Sequence, residues 1–405
     1  MPQAAATAVP QRRNVAVLAL AQALFMSVQG MSAATTPLAG HMLLGADVKW
    51  LATVPVFLMH VGIMTATIPA SLLMAAIGRR AGFALGSLLG VLGGAAGCAA
   101  LYWQSFPLLC LSALVQGMQA AFFWYFRMAA ADAAAPDFRA KAISLVMAGG
   151  VLAGLLGPEA AKWSVDWLAP VTFAGVYVAM AGFSVAVLLL VQLLRIPGLS
   201  SAERAAGGRP MAVIARQPAY RVALAASVFG YAVMTLTMSA TPLAMLACGF
   251  HFTDSATVIQ AHIVAMFLPS FFTGHLIARF GVLAVIAVGA MIEAAGALTN
   301  LAGLELGHFV LSNVLIGLGW NFTFVGGSTL LTTTYAPAER AKVQASHDFS
   351  VYATTASAAA LSGVLQAKAG WTVINLATLP MMALVIGAAL WLTVRQRGTA
   401  PAPAE

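Results

Sequence analysis

Five side chains that can exchange a proton, Asp348, His347, Glu293, His60 and His262, sit inside long apolar stretches of the sequence. Ionisable groups are costly in such surroundings, so each is a candidate for chemistry. Asp348 shares a helical stripe with Gln344, Tyr352 and Thr355, spaced as one wet helix face requires. Two roles fit it: a group whose protonation is exchanged for a solute, or a latch pairing with Arg279, Arg80 or Arg340. His347, its neighbour, points about 100° away on a helix and is of the residue type that serves as a proton shuttle. Glu293 is read first as a protonated carboxyl bonded to a neighbouring helix and second as a proton site. His60 and His262 are neutral hydrogen-bonding groups in one reading and proton sites in the other.

A second set of residues could contact a solute. Gln22, Met26 and Gln29 recur at helical spacing, as do Gln116, Phe123 and Arg127, with Gln119 beside them. Tyr231, Thr235 and Ser239 form a third stripe; Asn313, Gly317 and Trp320, with Asn321 adjacent, form a fourth. Such amides and hydroxyls either bond helix to helix, at under about 2 kcal/mol each, or line a shared cavity. Arg127 either binds an anionic solute group or extends its stem to the interface. Aromatic residues and Met among these stripes suit a partly flat, amphipathic organic molecule.

The elements that must carry these residues are membrane spans. Charged residues make up 8 % and hydrophobic ones 61 %, which excludes a single water-facing globular core. Stretches near 14–38, 50–76, 83–101, 107–130, 142–162 and 169–194 are each long enough to cross a bilayer, as are 219–246, 256–278, 282–304, 308–334, 343–366 and 371–394. The expected fold is therefore an all-α polytopic membrane protein of twelve helices in two six-helix bundles. Uninterrupted runs rich in Ala, Leu, Gly and Met argue against a barrel of short alternating strands. The first span is read as retained, since it is too long for the apolar core of a signal peptide.

Of the 20 Lys and Arg residues, all but Lys49, Lys162 and Lys368 fall on one side of this arrangement. That asymmetry places both termini in the cytoplasm of a bacterial cell with the chain in its inner membrane. The net charge of +8 then reflects cations at an anionic leaflet, and no nucleic-acid partner is needed. Cys98, Cys110 and Cys248 have no metal-ligand spacing, so neither metal nor cofactor is expected. The polar interval 195–218 reads as a cytoplasmic linker between bundles 1–194 and 219–405.

The two bundles echo each other. Ala135-Pro136-Asp137-Phe138-Arg139-Ala140-Lys141 returns as Ala336-Pro337-Ala338-Glu339-Arg340-Ala341-Lys342, Pro69 as Pro269, and Gly117 as Gly317. Ser71-Leu72-Leu73-Met74-Ala75-Ala76-Ile77-Gly78-Arg79-Arg80 and Gly274-His275-Leu276-Ile277-Ala278-Arg279-Phe280-Gly281 resemble the two copies of the loop signature of the major facilitator superfamily. Both have Ala, at 75 and 278, where the family places Asp. Ala113-Leu114-Val115-Gln116-Gly117 is similar in part to the fourth-span signature, and Gly154-Leu155-Leu156-Gly157-Pro158 to the fifth-span signature of antiporters.

The resemblance covers the whole chain and implies a monomeric secondary transporter that moves a small organic solute by alternating access. It implies proton coupling and export of a drug, metabolite or siderophore, with Arg79, Arg80, Arg279 and Arg340 at the gate. Import or facilitated passage of a metabolite or vitamin is the alternative. A non-transporting receptor or membrane enzyme is a further class; an enzyme would need a nucleophile with a base, or a cluster of metal ligands, and His347-Asp348 has no third ligand at helical spacing.

Overall fold

A computed structural model describes residues 11–135, 138–196 and 208–398, and these form helices with no strand among them. A bilayer offers no water to backbone amides, so a span must satisfy them internally, as a helix does. The first half contains α1 (Gln11–Leu43), α2 (Val54–Ile77), α3 (Arg79–Tyr102), α4 (Phe106–Phe123), α5 (Phe126–Asp132), α6 (Arg139–Ser164) and α7 (Ala174–Val191). After the short α8 (Met211–Ala215) come α9 (Pro218–Ala247), α10 (Phe252–Phe267), α11 (Ser270–Phe280), α12 (Val282–Ala302), α13 (Leu306–Thr332), α14 (Arg340–Lys368) and α15 (Gly370–Gly398).

Ten segments among the described residues are long and apolar enough to cross a membrane, and the bent pair α10 and α11 makes an eleventh. The twelfth expected span is α14, which at 29 residues measures about 43 Å. It has the length but carries Gln344, His347, Asp348, Tyr352, Thr355 and Gln366, so its polarity sets it apart. The eighth span bends by 44° at Leu268 and Pro269, where the proline ring removes an amide donor from the ladder. Span four is interrupted at Trp124 and Tyr125. Asn321 binds the break in span eight: its Nδ2 donates to Met266 O at 2.7 Å and Ser270 Oγ at 2.6 Å, and Thr273 Oγ1 donates to its Oδ1 at 2.7 Å.

By packing, the chain divides into one unit of Met1–Thr35 with Leu58–Glu203 and another of Thr36–Phe57 with Arg204–Glu405. Residues 36–57 join the second unit because the 3-10 helix Ala46–Leu51 lies against α14 at Gly363. The Gly363 amide donates to Thr53 Oγ1 at 3.1 Å, and a Cβ at Gly363 would come within 2.9 Å of Trp50 O.

Within each unit the same helix crossings recur. Gly117 on α4 packs on the Met59 carbonyl of α2, and Gly317 on α13 packs on the His262 carbonyl of α10. Gly86 faces Phe122, and Gly289 faces Phe322; Gly93 faces Ser112 and Gln116, and Gly296 faces Ser312 and Ile316. Gly78 and Gly281, with φ of 87° and 85°, turn the chain into α3 and α12, a conformation that favours glycine. The duplicated sequence thus builds a duplicated packing. Gly149 and Gly157 on α6 meet the Ala19 and Ser27 carbonyls of α1, so glycines in and near the antiporter-like motif serve close helix packing.

Residues 197–207 of the linker, with Arg204, lie outside the described residues, as do Pro136 and Asp137 of the first loop echo. The side chains of Arg139, Lys141 and Arg397 do too. The linker's far end is firmly held. Glu339, 2 % exposed, accepts from Arg209 N at 2.6 Å, Nε at 2.9 Å and a terminal guanidinium nitrogen at 2.7 Å, and from Ala336 N at 2.9 Å. Hydrogen bonds from the Arg209 side chain, then from the Ala336 and Arg209 amides, hold its carboxyl well below the usual carboxylate range. The same contact raises the Arg209 guanidinium.

A depressed acid contributes stability above its unfolded-state value and loses it only as pH falls through the lower folded value. The strap therefore persists at neutral and mildly acidic pH. Glu339→Gln is expected to release it, seen as faster trypsin cleavage after Arg216 at pH 7 with the bundles intact. Unchanged cleavage would show that other contacts hold the linker.

Candidate functional site

In the second unit, α9, α10 and α13 bring their large apolar side chains to one partly exposed cluster. Trp320 stacks on Phe324 with ring centroids 5.2 Å apart and planes 10° from parallel. Tyr231 stands edge-on to both, 5.0 Å from each, and Phe267 closes on Trp320 at 6.2 Å. Met234 and Met266 are buried in the same cluster as Trp320, and Met238 packs against it. Trp320 and Phe324 are four residues apart on α13 and so share a face. The Trp320 Nε1 donor is buried without a hydrogen-bond partner. Thr235, beside this cluster, reaches only the Met234 sulfur at 4.0 Å. A flat aromatic wall with an unpaired donor at its edge can stack a planar ring and bond its rim.

The expected amides separate into two groups. Gln22 Oε1 and Gln29 Nε2 on α1 are buried without partners. The rest each donate within their bundle, although Gln116 Oε1, Gln119 Oε1 and Asn313 Oδ1 are also buried without partners. Gln116 Nε2 donates to Ser112 Oγ at 3.2 Å, and Gln119 Nε2 to Ser184 Oγ on α7 at 3.2 Å, so this stripe faces α3 and α7. Asn313 Nδ2 donates to Phe309 O at 2.9 Å, and its backbone carbonyl accepts from His262 Nδ1 at 2.8 Å. Asn321 has its polar atoms occupied at the span-eight break. Arg127 is exposed on α5, and Tyr125 beside it donates to Thr67 O at 3.3 Å.

Among the protonatable candidates, Asp348 and His347 form a pair. His347 Nδ1 donates to Asp348 Oδ1 at 3.0 Å, with Asp348 47 % exposed and the imidazole 4 %. Helical geometry alone sends the two side chains in different directions; the structure corrects this, since the carboxylate reaches back around the helix to the ring. Asp348 pairs with His347, Arg80 donates to the Gln192 amide oxygen at 3.1 Å, and Arg279 lies over Phe280 at 5.2 Å. Arg79 is buried and Arg340 exposed. The ring of His347 lies 6.4 Å from Phe324, joining the pair to the aromatic wall. His60 is half-buried on α2, and His262 is fully buried against Asn313.

Glu293 is fully buried where α12 meets α13, accepting from Thr323 Oγ1 at 2.8 Å. Its place in the repeat explains it. In the first unit Gln119 of α4 fills the space over Gly90 of α3; in the second, Glu293 of α12 fills the space over Gly319 of α13. The polar filler has changed helix while the crossing is kept. Glu293→Gln keeps shape and acceptor, so we expect unchanged transport, including its response to a pH gradient, in reconstituted vesicles. Loss of that response would make Glu293 a proton carrier.

Phe324, Phe267 and Thr323 were not among the sequence candidates. Phe324 was signalled by its spacing from Trp320. No group of three His, Cys, Asp or Glu residues among those described could hold a metal.

A Major Facilitator Superfamily model matches residues 13–299. The riboflavin transporter RfnT of Brucella anthropi is 37 % identical over 391 residues, 96 % of this chain and 98 % of that protein. The uncharacterized MFS-type transporter YddS of Bacillus subtilis is 30 % identical over 331 residues, 78 % of this chain and 76 % of that one. Among solved structures, a bacterial homolog of the human lysosomal transporter Spinster aligns with a TM-score of 0.73 over 97 % of this chain and 99 % of that one, at 15 % identity. The nucleoside transporter NupG aligns with a TM-score of 0.68 over 93 % and 99 %, at 14 % identity. Those structures speak for the fold; the sequence relatives, with the repeated helix crossings, make this chain a member of the major facilitator superfamily, a multi-pass membrane transporter of a small solute.

Proposed function

We propose that the protein carries riboflavin, or a solute with its flat ring and polar rim, inward across the cytoplasmic membrane. The observation that carries this reading is the aromatic wall of Tyr231, Trp320 and Phe324, in a chain 37 % identical to a riboflavin transporter over nearly its full length. An isoalloxazine ring is planar and apolar on its faces, with imide and carbonyl groups along one edge. It calls for stacking surfaces together with a polar group of the kind that Trp320 leaves unbonded at Nε1. Import fits a vitamin that a cell consumes. The glycines that suggested export have a sufficient role in packing α6 on α1.

Asp348 and His347 are the proposed proton-coupling pair, being the candidates in contact both with solvent and with the aromatic wall. The proposed movement is alternating access of bundles 1–194 and 219–405 about the linker, with the Arg-rich turns and both termini in the cytoplasm. The test is binding. Purified protein in nanodiscs, titrated with riboflavin, is expected to quench flavin fluorescence saturably as the ring stacks, with lumiflavin competing. Saturable binding of other aromatic solutes but none of riboflavin would overturn the assignment.

A further inference from the structure

Three cations lie at the end of the molecule that the Lys and Arg distribution assigns to the outside, and they are not scattered. Lys162 pairs with Glu159 at 3.1 Å. The other two, Lys49 and Lys368, both line one cavity of ≈ 380 Å³ formed by the ends of α1, α9 and α14 and by the 3-10 helix Ala46–Leu51. Lys49 Nζ donates to His41 Nε2 at 2.9 Å, a neutral partner that leaves the ammonium charge uncompensated. Lys368 is held with its Nζ 5.5 Å from the Trp50 ring centroid, which is likewise a neutral contact. Gln366 also lines the cavity, with its Oε1 buried and unbonded. Asp47 contributes the one carboxylate of the lining, at the start of a helical turn where a negative charge is favourable.

Two ammonium groups against one carboxylate leave a net positive wall, and an unbonded amide oxygen beside it awaits a donor. We propose that this cavity is an outer binding site for an organic phosphate that carries hydroxyl groups. The phosphate oxygens accept from Lys49 and Lys368, and a hydroxyl donates to Gln366. The space exceeds that of a bare phosphate ion, which leaves room for the organic part. The same chemistry is offered by a soluble phosphate ester and by the headgroup of phosphatidylglycerol in the outer leaflet. The site is separate from the aromatic wall, and its existence does not depend on which cargo that wall binds.

The test uses full-length protein in phosphatidylcholine nanodiscs, titrated calorimetrically with glycerol 3-phosphate, which has no ring to engage the aromatic wall. Saturable binding that weakens with salt is expected. Lys49→Gln and Lys368→Gln should each weaken it by about tenfold, the worth of one charge-assisted hydrogen bond. Asp47→Asn should tighten it, and Lys162→Gln should leave it unchanged. If the natural occupant is the lipid, phosphatidylglycerol in the nanodisc blocks the titration, and native mass spectrometry finds lipid retained by the wild type and lost from both lysine variants. Binding of neither probe, or binding indifferent to Lys49→Gln and Lys368→Gln, would overturn the proposal.

Discussion

Replacing Trp320 by alanine is expected to raise the KM for riboflavin uptake by about tenfold or more, the equivalent of about 1.5 kcal/mol or above from one lost aromatic stack. The indole is central to the cluster: it stacks on Phe324, meets Tyr231 and Phe267 edge-on, and offers the unpaired Nε1. Truncation also opens a void in the core, at a cost of about 3–5 kcal/mol, so the alanine variant could lose transport through instability alone. Trp320→Phe separates the two effects. It keeps a ring against Phe324 while losing the donor and part of the indole's volume, so the protein should melt closer to the wild-type temperature than the alanine variant does while KM rises by a smaller factor. A Phe variant with full stability and unchanged KM, beside an Ala variant that merely unfolds, would remove Trp320 from the binding site.

The second large effect is expected at Asp348. Asn is nearly the same size, and at a site 47 % exposed the exchange should leave the fold intact. What it removes is the charge that His347 Nδ1 faces. Uptake driven by an imposed pH gradient should fall to the level of passive exchange, while counterflow of labelled against unlabelled riboflavin, which requires no net proton movement, persists. Gradient-driven uptake that survives Asp348→Asn would show the pair to be structural. Contrasted with Glu293→Gln, which should change neither assay, this identifies one carboxylate as the coupling group and the other as packing.

The membrane class and the twelve spans were legible because a helix needs about 20 apolar residues to cross lipid, and that signal survives without knowledge of any neighbour. The repeat was legible too, through Gly117 and Gly317, whose small size is required where a backbone carbonyl of the next helix lies against them. The site was legible only in part. Spacing puts Gln116 on a stripe with Phe123 and Arg127, and Gln119 beside it, but spacing does not say which neighbour the two amides face, and here it is α3 and α7. Phe324 carries no polar group to mark it on α13, although its interval from Trp320 is that of a shared helix face. The Arg209 and Glu339 contact joins residues 130 positions apart, a distance at which sequence pattern carries no information. Nothing near Glu293 in the sequence accounts for it; its counterpart across the repeat, the Gln119 that covers Gly90, supplies the reason.

The most direct measurement of the central claim is uptake of radiolabelled riboflavin into proteoliposomes containing only this protein, with an inward-directed proton gradient. Saturable accumulation that is weakened by Trp320→Ala and uncoupled from the gradient by Asp348→Asn is the predicted result. Vesicles that accumulate other small solutes but take up riboflavin no faster than protein-free liposomes would contradict the account.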